Sequence, residues 1–214
     1  MARPVNADAQ ATQARILAAA YELFASFGLA GASIRDIAKE AGVSLAMVHH
    51  YFGSKQGLYE ASIATLMGEL GTLRDEILRD LASGGYQPRE LVDRAVMIGY
   101  RYARSHRNGV RLLYRSLVDT GEIDVTVRRK SVLPFLDSVA TAMSGLLGRE
   151  PRELRLALQS IVFLIARWSL ATTTEAEDLA GGASDAPARE DATAAEVAIE
   201  RHLVDATIRL LGVP

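Results

Sequence analysis

Two histidines stand side by side at His49 and His50, directly after Met47 and Val48 and ahead of Tyr51, Phe52 and Lys55. Imidazoles can ligate a metal, move a proton or hydrogen-bond an anion. The spacing argues against metal: adjacent helical residues point about 100° apart, and helical ligand pairs use i, i+4. No nucleophile–base pairing, glycine-rich phosphate loop or His/Glu metal spacing is found along the chain, so no catalytic residue, metal or cofactor is expected. Arg101, Arg104, Arg107, Arg111 and Arg115 form a basic run. It reads first as a solvated face, with attraction of an anionic ligand, an acyl-CoA or a carboxylate, as the functional alternative. What remains for the histidine pair is a surface that meets a partner.

The elements that position these residues are helical. Proline is scarce and β-branched alternation is absent. Ile16, Leu17, Ala20, Leu23, Phe24 and Phe27 form one apolar stripe, and Gly28 is placed to end that helix. Ser33 can cap a second helix whose buried face is Ile34, Ile37, Ala38 and Ala41. Gly42 supplies a sharp turn, Val43 plugs it and Ser44 caps a third helix. There Val48, Tyr51 and Phe52 fall at i, i+3, i+4 and point inward, with Leu45 bordering the same side; Ala46, Met47, His49 and His50 are left outside. A fourth helix starts at Lys55 and runs to about Ser83, before the hinge "SGGYQP". Further helices are expected at 89–105, 108–119, 125–147, 151–173 and 194–211. The segment "TTTEAEDLAGGASDAPAREDA" is small, polar and acidic, and is expected to be a mobile loop.

Bulk properties set limits. The 214 residues, 49% hydrophobic and 23% charged, suit an ordinary globular chain. The absence of cysteine excludes disulfides and fits a reducing, cytoplasmic setting. The start, Ala2 to Ala14, is polar and small, so no secretory leader is expected. The longest apolar run, around Leu154 to Ala171, contains Arg155, Gln159 and Arg167 and falls short of the ~20 apolar residues of a membrane span. Net charge is −2, yet residues 1–57 carry five Lys and Arg against four Asp and Glu. Any polyanion contact there rests on placement of charge, not on bulk field.

Three short helices with a tight turn between the second and third are the skeleton of a helix-turn-helix, which braces its last helix to enter a DNA major groove about 12 Å wide. The stretch "ARILAAAYELFASFGLAGASIRDIAKEAGVSLAMVHHYFGSKQGLYEA" resembles the N-terminus of TetR-family repressors, closely over residues 12 to about 62. The resemblance implies an all-α protein: an N-terminal three-helix DNA-binding domain at 9–69, with its motif at 33–52, and a helical effector-binding and dimerisation domain at 70–214. It places Ser33, Arg35, Ser44, Leu45, Ala46, Met47, His49, His50, Tyr51 and Lys55 against double-stranded DNA. His49 stands where the family commonly has a phosphate-touching Tyr. Leu45 and Met47 replace the more usual Lys or Arg and the polar Thr or Ser. Apolar groups cannot form bidentate bonds to guanine or adenine but can meet thymine methyls, so thymines are expected beneath them. The implied mechanism is a repressor on a palindromic operator, released by a small molecule. Its rivals are a ligand-independent regulator and a helical protein-interaction module.

Within the expected body, Tyr102, His106, Tyr114, Met143 and Trp168 lie on inward stripes. As a group they could line a pocket for a small hydrophobic or amphipathic effector. Helices 151–173 and 194–211 each carry two apolar stripes, more than one protomer can cover. Leu158, Ile161, Ile165, Val197, Val204, Ile208 and Leu211 are accordingly expected in a homodimeric four-helix bundle. No membrane contact is expected.

Overall fold

The computed structural model describes residues 5–82, 85–123, 125–181 and 192–213, which are helical with no strand among them. The chain separates into two compact units: residues 1–69 with 108–128, and residues 70–107 with 129–214. Residues 108–128, expected in the body, group instead with the N-terminal segment.

In the first unit, α1 (Val5–Gly31) kinks at Gly28, whose φ of 68° and ψ of 176° leave the helical region. One further turn follows, closed by Ala32 N–H on the Gly28 carbonyl at 3.1 Å. Then come α2 (Ile34–Glu40), α3 (Leu45–Phe52) and the first half of α4 (Lys55–Ala82). Ile16, Ala20, Phe24, Ile37, Val48 and Leu58 fill the core, and Phe24 meets the Tyr59 ring edge-on. Leu112 of α6 (Arg107–Thr120) joins them at 1% exposure. Arg115 reaches from α6 to the Ser26 carbonyl at 3.1 Å. Phe27, on the same stripe as Ile16 and Phe24, is 55% exposed.

In the second unit, α5 (Pro88–Ser105), α8 (Leu133–Leu147), α9 (Pro151–Ser169) and α11 (Ala194–Leu211) pack on one another, and α10 (Thr173–Leu179) lies against α11. Their core holds Val92, Val96, Leu136, Met143, Leu154, Leu158, Ile199 and Leu203. The expected helix at 125–147 is divided into α7 (Val125–Val127), a π-helical turn at Arg128–Val132, and α8. Pro134 explains the break: it has no N–H for the carbonyl four residues back, and its ring crowds that carbonyl. Part of the expected acidic loop is the helix α10. Thr172 caps it, accepting from Glu175 N–H at 3.2 Å, and Arg167 pairs with the Glu175 carboxylate. Residues 182–191 of that loop lie outside the described residues. No single helix among the described residues is long and apolar enough to cross a membrane.

Candidate nucleic-acid interface

Local chemistry sets the turn between α2 and α3. Ser33 opens α2 by accepting from Asp36 N–H. At the other end Gly42 adopts φ 64°, its N–H returns to the Lys39 carbonyl, and Val43 N–H returns to the Ala38 carbonyl. This closure needs a residue free to take positive φ. Ser44 then caps α3, accepting from Met47 N–H at 3.2 Å. Val48 is fully buried and anchors α3 to the core. Leu45, Tyr51 and Phe52 are half-buried, whereas Ala46, Met47, His49 and His50 are exposed. Arg35 is exposed on α2. The inward and outward sides of α3 are thus divided as the spacing required.

Two of the expected contact residues have a second engagement. His49 Nδ1 lies 2.9 Å from the Gly53 carbonyl. A carbonyl only accepts, so Nδ1 carries the proton and Nε2 of the neutral ring is an acceptor. Lys55 Nζ donates to the Ala30 and Ala32 carbonyls at 3.1 and 2.9 Å. It ties the end of α1 to the start of α4, a strut the sequence reading missed because it spans more than twenty residues. One of its three ammonium protons stays available to an anion. Ser33 and Ser44 spend their hydroxyls as caps, and Tyr51 stacks edge-on to His50 at 5.2 Å.

The expected effector group divides between the units. Tyr114 belongs to the first, where burial pushes its phenol well above the usual range. Tyr102, His106, Met143 and Trp168 belong to the second. Tyr102 and His106 stack at 4.1 Å, Met143 is buried, and Trp168 faces His202 edge-on at 6.0 Å. The buried stripe of α5 is Val92, Val96, Tyr100 and Ala103. Tyr100, rather than Tyr102, is therefore its deep aromatic. The same four-residue spacing was there to be read in the sequence.

The expected dimer stripe is displaced in the same way. Leu158, Ile161, Val204 and Leu211 are buried in the protomer's own core, and Ile165 and Ile208 pack against it. They have little surface left for a second chain. Val197 is half-buried. The exposed apolar side chains on these helices are Leu156, at 72%, with Val162 and Leu210, and Leu146 on α8.

A short capped helix, anchored by one valine and braced by two other helices so that its outer side stays exposed, defines a helix-turn-helix. Residues 16–62 match the family model described as bacterial regulatory proteins, tetR family. Over that segment the chain is similar to this family of DNA-binding regulators. It is 39% identical over 94 residues to the HTH-type transcriptional regulator BetI 1 of Chromohalobacter salexigens, covering 44% of each chain. It is 35% identical over 136 residues to the HTH-type transcriptional regulatory protein RaaS of Mycobacterium tuberculosis, covering 60% of this chain and 63% of that protein. The match thus spans less than two thirds of these relatives. The fold is similar over the whole of both chains to a TetR-like transcriptional regulator from Rhodococcus sp. RHA1, with a TM-score of 0.63 at 21% identity.

Proposed function

We propose that this chain is a sequence-specific regulator of transcription that binds double-stranded DNA as a homodimer in the cytoplasm, and that a small ligand in its second unit releases it from its operator as a repressor. The observation that carries the reading is the open outer side of α3, where Ala46, Met47, His49 and His50 are exposed behind the Ser44 cap. In a major groove, Leu45 and Met47 read thymine methyls while Arg35 contributes to backbone or base contacts. His49 donates from Nε2 to a phosphate only when its ring is protonated, since Nδ1 is held by Gly53. Lys55 offers its remaining proton to the backbone.

Exposed Leu146, Leu156, Val162 and Leu210 support a second copy against α8, α9 and α11. A two-fold pair presents its α3 helices to half-sites one DNA turn, about 34 Å, apart. Met143 lies in the second unit's core, Tyr102 and Trp168 pack against it and His106 stacks on Tyr102; apolar groups with polar tips suit an amphipathic effector.

The test is fluorescence anisotropy with DNA from upstream of the chain's own gene, at several salt concentrations and with thymine replaced by uracil. We expect affinity to fall steeply with salt and to drop when the thymine methyls under Leu45 and Met47 are removed. A protein that sediments as a single chain and binds no duplex at low salt refutes the reading.

A further inference from the structure

Tyr100, Arg104 and Arg107 follow one another at i, i+4 and i+7, from the last turns of α5 into the first residue of α6. They meet two other helix ends of the second unit. Arg104 pairs with Glu196 in the first turn of α11. Arg107 Nη2 donates to the Leu170 and Ala171 carbonyls that close α9, at 2.7 and 2.9 Å. Tyr100 is 3% exposed, and its hydroxyl has no hydrogen-bond partner among the described residues. Buried hydroxyls are nearly always bonded, and phenylalanine would fill the same space without the cost of an unmet donor.

The surroundings state what the hydroxyl is suited to meet. Burial first, and Glu196 second, push the phenol above its ordinary range, while Arg104 and Arg107 pull the other way. At neutral pH the oxygen therefore keeps its proton and acts as a donor. Arg104 and Arg107 follow Tyr100 at i+4 and i+7, and Glu196 pairs with the first of them, so one positive charge is left over on that side and an anionic acceptor is favoured. Met143 belongs to the same core as Tyr100, and Tyr102 and Trp168 pack against it.

We propose that the Tyr100 hydroxyl is the hydrogen-bonding anchor of the effector site, and that the effector is an amphipathic acid which presents its carboxylate to Tyr100 beside Arg104 and Arg107. The proposal rests on the reading of this chain as a ligand-released regulator and names the chemical class of the ligand.

The experiment uses the full chain and three probes of one length: decanoate, 1-decanol and decylamine. Thermal melts are recorded for the wild type, Tyr100→Phe and Arg101→Gln, the last an exposed cation on the same helix. Tyr100→Phe deletes only an unbonded hydroxyl, so its melting temperature without probe stays equal or rises. Decanoate raises the wild-type melting temperature more than the alcohol does, and the amine does not raise it. Tyr100→Phe needs about tenfold more decanoate for the same rise, while Arg101→Gln responds as the wild type. No response to decanoate, an equal response to the amine, or an undiminished response in Tyr100→Phe overturns the assignment; a buried water as the sole partner of Tyr100 gives that last outcome. DNA affinity is measured on the same proteins with and without decanoate. If decanoate stabilises through Tyr100 but no duplex is bound, the anchor stands and the regulator reading fails. If DNA is bound and decanoate does nothing, the reverse holds.

Discussion

Gly57 occupies the first turn of α4, where its N–H donates to the capping Ser54 hydroxyl at 3.0 Å. A Cβ at this position would lie 2.3 Å from the Phe52 carbonyl oxygen at the end of α3. The backbone of one helix must move by about 0.7 Å merely to reach the 3.0 Å below which such contacts are essentially unknown. Overpacking of this kind costs about 3 kcal/mol when backbone must yield, and alanine recovers up to about 1 kcal/mol of helix propensity. Gly57→Ala is therefore expected to lose about 2 kcal/mol, or about 4–8 °C of melting temperature in a chain of this size. Gly68 lies on the same helix, and a Cβ there meets nothing within 4 Å. Gly68→Ala keeps the propensity gain and should melt about 2–4 °C higher. The assay is circular dichroism melting of the two variants at one protein concentration, with duplex affinity measured alongside. Gly57→Ala should also bind DNA more weakly, since the strain falls on the end of α3. Equal stabilisation by the two substitutions refutes the reasoning.

Ser44→Ala removes the cap of α3 and should cost about 1 kcal/mol, seen as a lower melting temperature with weaker duplex binding. Lys55→Met deletes both carbonyl bonds of the strut; the free protein should melt lower and the salt dependence of DNA binding should lose about one phosphate's worth of slope. Leu156→Glu should convert a sedimenting dimer to single chains with an intact fold, whereas Leu158→Ala, cut from the core, should cost about 2–5 kcal/mol of stability. Tyr21 donates to the Ser62 carbonyl at 2.8 Å, and burial, followed by Glu69, pushes its phenol up to about 12 from its ordinary 10.0. Stability held by the protonated phenol is complete below pH 10 and is lost as pH climbs toward about 12, so denaturant midpoints should fall across that window and Tyr21→Phe should flatten the fall.

The N-terminal helix-turn-helix was legible because its signals are local. Gly28, Ser33, Gly42 and Ser44 each act on backbone groups within a few residues, and Val48 sits one turn from Ser44. What the pattern could not settle was which of two apolar sides faces home. On α9, Leu158 and Leu156 are equally hydrophobic, and only packing against α5, α8 and α11 buries the first and exposes the second. Composition misled at 173–179, where acidic residues suggested loop although Thr172 and Glu175 stand at cap spacing. Pro134 was a readable break that the long apolar pattern around it concealed. The partition of Leu112 into the first core depends on a chain return of some fifty residues after Leu58, which no local window contains.

That return has a practical meaning for anyone building hybrid proteins. A graft cut cleanly after Glu69 would carry away the helix-turn-helix without Leu112, and without the Arg115 tether on Ser26. The transplanted piece would arrive with a hole the size of a leucine in its centre. To exchange one unit for another, the excursion from Asn108 to Arg128 must travel with the N-terminal segment, so the natural seam is two-stranded and a single crossover misses it.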